Sequence, residues 1–211
     1  MKTDELITIL ANGDVAVAPG TVKRRFVIAL GLSVPVCLTL MMATMGMSPD
    51  IATAVQLPIF WIKLIFTITF SSSALVLVER LSCPGAALGR LPIALIILLI
   101  VVLMIAALAG VPFAERDGLI FGQTRAACPA AIAALSIPVI IAVFWAMRGL
   151  APTRPRLAGA VAGSLAGSVA AAIFTLHCTE MAAPLFGGCF VYGMLIPAGV
   201  GAAVGPWVLS W

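Results

Sequence analysis

Apolar residues follow one another along this chain in runs of about 20, and most polar positions lie between those runs. A helix of about 20 apolar residues crosses the roughly 30 Å hydrocarbon core of a bilayer and satisfies its own backbone hydrogen bonds. The pattern therefore predicts an all-α polytopic membrane protein, a bundle of six transmembrane helices. The six predicted spans cover residues 27–46, 58–78, 91–111, 129–147, 157–176 and 190–210.

The beginning of the chain differs from the rest, because polar and charged positions interrupt the apolar ones. Two acidic residues that suit a first helical turn precede three apolar residues at helical spacing, and these are Asp4, Glu5, Leu6, Ile9 and Leu10. A helix of about ten residues is marginal alone in water, so we expect this segment to fold when it docks on a partner. A frayed tail or a helix lying on the lipid is the alternative. We divide the chain into a cytoplasmic leader, residues 1–26, and a six-helix domain, residues 27–211.

Composition and charge support a membrane protein and give its orientation. Hydrophobic residues make up 63% of the chain and charged residues 9%, whereas soluble domains carry about 25% charged residues. Nine of the 12 Lys and Arg residues fall in the leader and in the loops after the second and fourth spans, and only Arg116 and Arg125 fall in the other loops. The positive-inside rule then predicts that both termini are cytoplasmic. The net charge of +4 follows from this topology and gives no reason to expect nucleic-acid binding.

Soft side chains gather at the predicted outer ends of the spans. Of the five cysteines, Cys37 lies mid-span and Cys83 lies in a cytoplasmic loop, where reduced thiols are expected. The outer set comprises Cys128, Cys178 and Cys189, with His177, Glu180, Met41 and Met45 nearby. Thiolates, imidazole and thioethers favour a soft transition metal such as Cu or Zn. A disulfide, or plain packing, is the alternative, and no obligatory cofactor is predicted.

Lys63 stands inside the second span, in the sequence PIFWIKLIF. An ionisable residue within a membrane is costly and is a functional candidate by default, although a lysine near a span end also snorkels to the interface. Nucleotide-binding, zinc-protease and serine-hydrolase motifs are absent from the sequence, and no span carries a pair of carboxylates. We therefore do not expect an enzyme.

Several segments together resemble one family. These are TDELITILA in the leader, PIFWIK at the second span, Cys128 followed by Pro129, LAPTRPRLAGAVAGSLAG, and TLHCTE before the last span. The chain resembles the NrsF-type (negative regulator of sigma F) membrane anti-sigma factors. That resemblance implies a six-span bacterial inner-membrane protein that holds an extracytoplasmic-function sigma factor inactive and releases it under heavy-metal or oxidative stress. The two signature cysteines of the family match Cys128 and Cys178, whereas Cys189 stands near an aromatic pair of the family and departs from it.

The leading functional hypothesis is thus a stress-sensing anti-sigma factor that binds its sigma factor through the leader and senses through outward-facing cysteines. A membrane thiol oxidoreductase and a small metal or solute transporter are the alternatives. The expected partners are the sigma factor and the lipid bilayer, without direct nucleic-acid contact. Small residues at Gly159, Gly163 and Gly167 predict close helix packing, within the chain or in a homodimer.

Overall fold

In the computed structural model, helices account for all the regular structure of the described residues, which are 20–46, 51–82, 94, 97–98, 124–148, 150, 152–177 and 183–209. The helices are α1 (Thr21–Thr44), α2 (Ile51–Ala54), α3 (Pro58–Ser82), α4 (Thr124–Met147), α5 (Pro155–Phe174) and α6 (Ala183–Leu209). No strand occurs in these parts of the chain. The all-α class predicted from the sequence is confirmed.

Five of these helices are long and apolar enough to cross a membrane, and they coincide with the first, second, fourth, fifth and sixth predicted spans. Their mean hydropathy lies between 1.4 and 2.4. The third predicted span, residues 91–111, lies outside the described residues except at Ala94, Ile97 and Leu98. The described part of the chain is therefore a multi-span helical membrane protein.

Helix α1 begins earlier than the hydropathy pattern indicates. It starts at Thr21, so the cluster Lys23, Arg24 and Arg25 forms part of its first turns. Charged residues do not end a helix, and long basic side chains at a span end reach the polar interface while their backbone stays helical. The last part of the predicted leader is thus continuous with the first membrane helix.

Helix α5 lies at the centre of the bundle, where it packs against α3, α4 and α6. Its contact with α6 is antiparallel and very close, because small residues face each other along it. A Cβ atom on Gly163 would overlap the backbone carbonyl of Pro197, and one on Gly201 would overlap the carbonyl of Gly159. The small residues predicted to allow close packing therefore do so within the chain, and the two backbones are in direct contact.

Polar groups join two other helix pairs inside the bundle. The Ser71 hydroxyl of α3 donates to Ser168 Oγ of α5 at 2.8 Å, and Ser168 donates to the Leu165 carbonyl at 2.8 Å. The Cys37 thiol of α1 donates to the Leu135 carbonyl of α4 at 3.1 Å. Hydrogen bonds of this kind each stabilise membrane-helix association by about 1 kcal/mol. Cys37 is fully buried and not in a disulfide, as the sequence predicted.

The packing fixes which helix ends lie together. Contacts of Gly159 with Gly201 and of Gly193 with Ile132 make α6 antiparallel to α5 and parallel to α4. One end of the bundle therefore holds the beginnings of α4 and α6 and the end of α5. The opposite end carries almost all the basic residues with described side chains, namely Lys23, Arg24, Arg25, Arg80, Arg148, Arg154 and Arg156. We call the end with the beginnings of α4 and α6 the thiol end, and the opposite end the basic end.

Candidate functional site

Cys128 lies in the second turn of α4, at the thiol end of the bundle, and its side chain is partly buried against the core. Its sulfur is part of a disulfide bond with another cysteine of the chain, whose side chain is not among those described. A sulfur in a disulfide has no thiolate to offer a metal ion, so oxidation and metal ligation exclude each other at this position.

His177 follows the end of α5 and links it to the end of α1. Its Nδ1 lies 3.0 Å from the carbonyl oxygen of Gly46. A carbonyl oxygen only accepts hydrogen bonds, so Nδ1 carries the proton, and in the neutral ring Nε2 keeps its lone pair. The Phe174 ring, 5.6 Å away between centroids, supports the imidazole from the preceding turn. This is the arrangement that metal-binding histidines adopt, with one nitrogen donating to a backbone carbonyl and the other available as a ligand.

Gly46 has a positive φ of 73°, and its N–H donates to the Met41 carbonyl at 3.2 Å. Only glycine enters this left-handed region without a steric cost, so Gly46 ends α1 and turns its carbonyl toward His177. We did not identify Gly46 as a site residue from the sequence. The available signal was a glycine placed just after a long apolar helical run, which is typical of a helix C-terminus.

Met41, Met45 and Lys63 differ in how deeply their side chains are buried. Met41 is fully buried in the core of the bundle, whereas Met45, just beyond the end of α1, is 38% exposed. Lys63 lies in the second turn of α3 and is only 5% exposed. Its ammonium group is therefore enclosed by the bundle and does not extend along its lipid-facing surface.

Several predicted site residues lie outside the part of the chain that the structure describes. Cys178 and Glu180, and the leader residues Asp4, Glu5, Leu6, Ile9 and Leu10, lie outside the described residues. Cys189 belongs to α6, but its side chain is not among those described. Within the described part of the chain, no group of three or more His, Cys, Asp or Glu residues is arranged to hold a metal ion. The structure brings together His177 and the end of α1, and it places Cys128 at the same end of the bundle.

The residues at the thiol end suit two chemistries. With Nδ1 bonded to the Gly46 carbonyl, His177 keeps Nε2 as a possible ligand for a soft metal. A reduced Cys128 would supply a thiolate. The oxidised form of Cys128 instead ties the start of α4 covalently to another cysteine. His177 and Cys128 both lie at the thiol end of the bundle.

These features define a multi-span membrane protein with a thiol- and imidazole-bearing end opposite an arginine-rich end. The family described as "Negative regulator of sigma F" matches residues 10–211, and the chain belongs to it. It is 43% identical to the probable anti-sigma-F factor NrsF of Azospira oryzae and 33% identical to the anti-sigma-F factor NrsF of Caulobacter vibrioides, with the full length of both chains covered in each comparison. No solved structure matches the chain.

Proposed function

We propose that this protein is an inner-membrane anti-sigma factor that holds an extracytoplasmic-function sigma factor at the cytoplasmic face and releases it when its outer cysteines are oxidised or bind a soft metal. Membership of the negative-regulator family carries this proposal. Two features support the sensing part, namely the disulfide at Cys128 and the orientation of His177. The positive-inside rule assigns the basic end to the cytoplasm and both chain termini with it.

The sensing reaction joins Cys128 to Cys178. In the oxidative branch the two thiols lose two protons and two electrons to an oxidant such as a peroxide, and an S–S bond forms between them. In the metal branch the two thiols release two protons, and the thiolates bind the ion together with Nε2 of His177. Glu180, Met45 or Cys189 would complete the ligand shell in this branch.

Helix α1 is suited to carry the signal across the membrane. Its outer end is held by the hydrogen bond from His177 to Gly46, and its middle is held by the thiol of Cys37 against α4. Its 24 residues span about 36 Å, and its first residues, from Thr21, are the last part of the leader. A change in the distance between α4 and α5 at the thiol end would therefore shift α1 and with it the end of the leader.

The leader would bind the sigma factor as an amphipathic helix in a groove, with Leu6, Ile9 and Leu10 on the buried face. Asp4 and Glu5 would complement its first turn. Burial of one such aliphatic side chain stabilises a complex by about 1.5–3 kcal/mol, so loss of all three would abolish binding at cellular concentrations.

Deletion of residues 1–22 tests this function and separates it from the alternatives. The truncated protein should still insert in the membrane but should no longer co-purify with a sigma factor, and transcription dependent on that sigma factor should become constitutive. The triple variant Leu6→Asp, Ile9→Asp, Leu10→Asp should behave in the same way with the chain length kept. Continued repression by the triple variant would place the binding surface elsewhere, and full activity of the truncated protein in thiol oxidation or solute transport would favour an oxidoreductase or a transporter.

A further inference from the structure

A small cavity opens at the basic end of the bundle, where α5 begins and α6 ends. Its volume is about 320 Å³, and it is lined by Arg154, Pro155, Arg156, Leu157 and Pro206. The close antiparallel packing of α5 on α6 forms it, because Gly205 lies against the Pro155 carbonyl. Its lining is almost wholly apolar, formed by the two proline rings, Leu157 and the aliphatic parts of Arg154 and Arg156. The charged ends of the two arginines are exposed to the surroundings of the cavity.

The two arginines have no acidic partner in the described part of the chain, where no ion pair joins either of them to a carboxylate. Both side chains are exposed. Arg154 and Arg156 are two positions apart in the chain, and an anion that contacts both would lower the repulsion between their charges. Arginine also presents a planar fork of donors that matches a phosphate group in two hydrogen bonds.

The position of the cavity indicates which kind of anion would bind there. It lies at the ends of two membrane-spanning helices, at the level where lipid headgroups begin. Trp207, the residue after Pro206, is 87% exposed, and tryptophan prefers this interfacial layer. Leu157 is 49% exposed beside the cavity, so an acyl chain leaving the site would meet apolar surface.

We propose that this cavity binds an anionic phospholipid, with the phosphodiester held between Arg154 and Arg156 and the glycerol backbone over the apolar lining. Basic pockets between membrane helices bind the headgroups of anionic lipids in this way. The site secures the junction of α5 and α6 to the inner surface of the bilayer. It depends on neither the sensing chemistry nor the leader.

Titration of the delipidated full-length protein in a nonionic detergent, with bound lipid counted by native mass spectrometry, tests the site. Phosphatidylglycerol should bind at least tenfold more tightly than phosphatidylcholine. Because one basic residue near an anionic lipid contributes about a fivefold gain in affinity, the double variant Arg154→Gln, Arg156→Gln should bind phosphatidylglycerol about thirtyfold more weakly. The variant Arg154→Lys, Arg156→Lys retains both charges and should stay within about threefold of the wild type.

Arg148 provides the matched control. It is exposed at the same end of the bundle but does not line the cavity. Arg148→Gln should change the affinity for phosphatidylglycerol less than twofold, and an effect as large as that of Arg154→Gln would overturn the proposal in favour of general surface charge. Because all three side chains are exposed, these substitutions should leave thermal unfolding in lipid-free detergent unchanged.

Three further results would overturn the proposal. The first is equal binding of phosphatidylglycerol by the wild type and the double glutamine variant. The second is displacement of phosphatidylglycerol by millimolar inorganic phosphate, which would identify a site for a free anion. The third is loss of the sigma factor from the double glutamine variant in delipidated detergent with lipid binding intact, which would identify a protein-docking surface.

Discussion

Replacement of Gly201 by alanine tests the closest contact in the bundle. The new Cβ atom would lie 3.0 Å from the Gly159 carbonyl carbon and 3.2 Å from Gly163 Cα, and it would overlap the Gly159 carbonyl oxygen. Non-bonded carbon atoms prefer about 3.5–4.0 Å, so α5 and α6 would have to move apart locally. All three contacting atoms belong to backbone, which cannot adjust as the end of a flexible side chain does.

Gly199 makes the comparison quantitative, because it lies two residues earlier on the same helix and a Cβ atom there would meet nothing within 4 Å. Both substitutions gain the helix propensity of alanine, about 1 kcal/mol, so the difference between the variants isolates the contact. Overpacking costs about 1–3 kcal/mol. We expect Gly201→Ala to have an unfolding equilibrium about 5- to 150-fold less favourable to the folded state than that of Gly199→Ala.

Equilibrium unfolding in mixed micelles, with the SDS fraction raised stepwise and helix content followed by circular dichroism, gives this difference. Gly201→Ala should unfold at a lower SDS fraction than the wild type, and Gly199→Ala at the same fraction or a higher one. Coincident transitions of the two variants would refute the close contact of α5 with α6.

Substitutions at three positions probe the contacts of the proposed sensor. Cys37→Ser keeps a donor for the Leu135 carbonyl, so its free energy of unfolding should change by no more than about 1 kcal/mol, the contribution of one interhelical hydrogen bond. Reporter induction by metals and oxidants should match the wild type. Lys63→Met removes a buried cation. We expect that cation to favour the thiolate form of the sensor cysteines, so repression should persist while the inducer concentration for half-maximal release, read from a dose response, rises. His177→Asn keeps a donor near the position of Nδ1 and loses Nε2, so it should respond to oxidants and not to metals. His177→Ala also loses the hydrogen bond to the Gly46 carbonyl, which contributes about 0.5–1.5 kcal/mol, so it should in addition weaken the coupling to α1.

The sequence was sufficient to predict the helical class and five of the spans, because 20-residue apolar runs have few alternatives to a membrane helix. It predicted close packing at Gly159, Gly163 and Gly167, but the spacing of small residues does not say which helix they contact. The structure shows that the partner is α6. Helix bounds were less accurate at the start of α1, since hydropathy marks the membrane core and the helix continues into the interface.

The candidate site was harder to predict, because it depends on which helix ends meet. The bond between His177 and Gly46 joins residues 131 positions apart, and no local pattern encodes such a contact. For Lys63 the sequence allowed both an interior and an interfacial position, and only the packing of α3 shows that the side chain is buried. Cys128 was identified by its residue type and its predicted position at a span end, both of which are local properties.

The central claim is that Cys128 and Cys178 control release of the sigma factor. The most direct test uses the purified complex of full-length protein and sigma factor in lipid nanodiscs, exposed to hydrogen peroxide or to zinc, with released sigma factor measured in the soluble fraction. A change from almost wholly bound to almost wholly released requires a bias of about 5.5 kcal/mol, which a disulfide or a metal–thiolate set can supply. We predict release from the wild type and from Cys37→Ser, and retention by Cys128→Ser, by Cys178→Ser and by the double variant. Normal release from the double variant with both inducers would contradict the account.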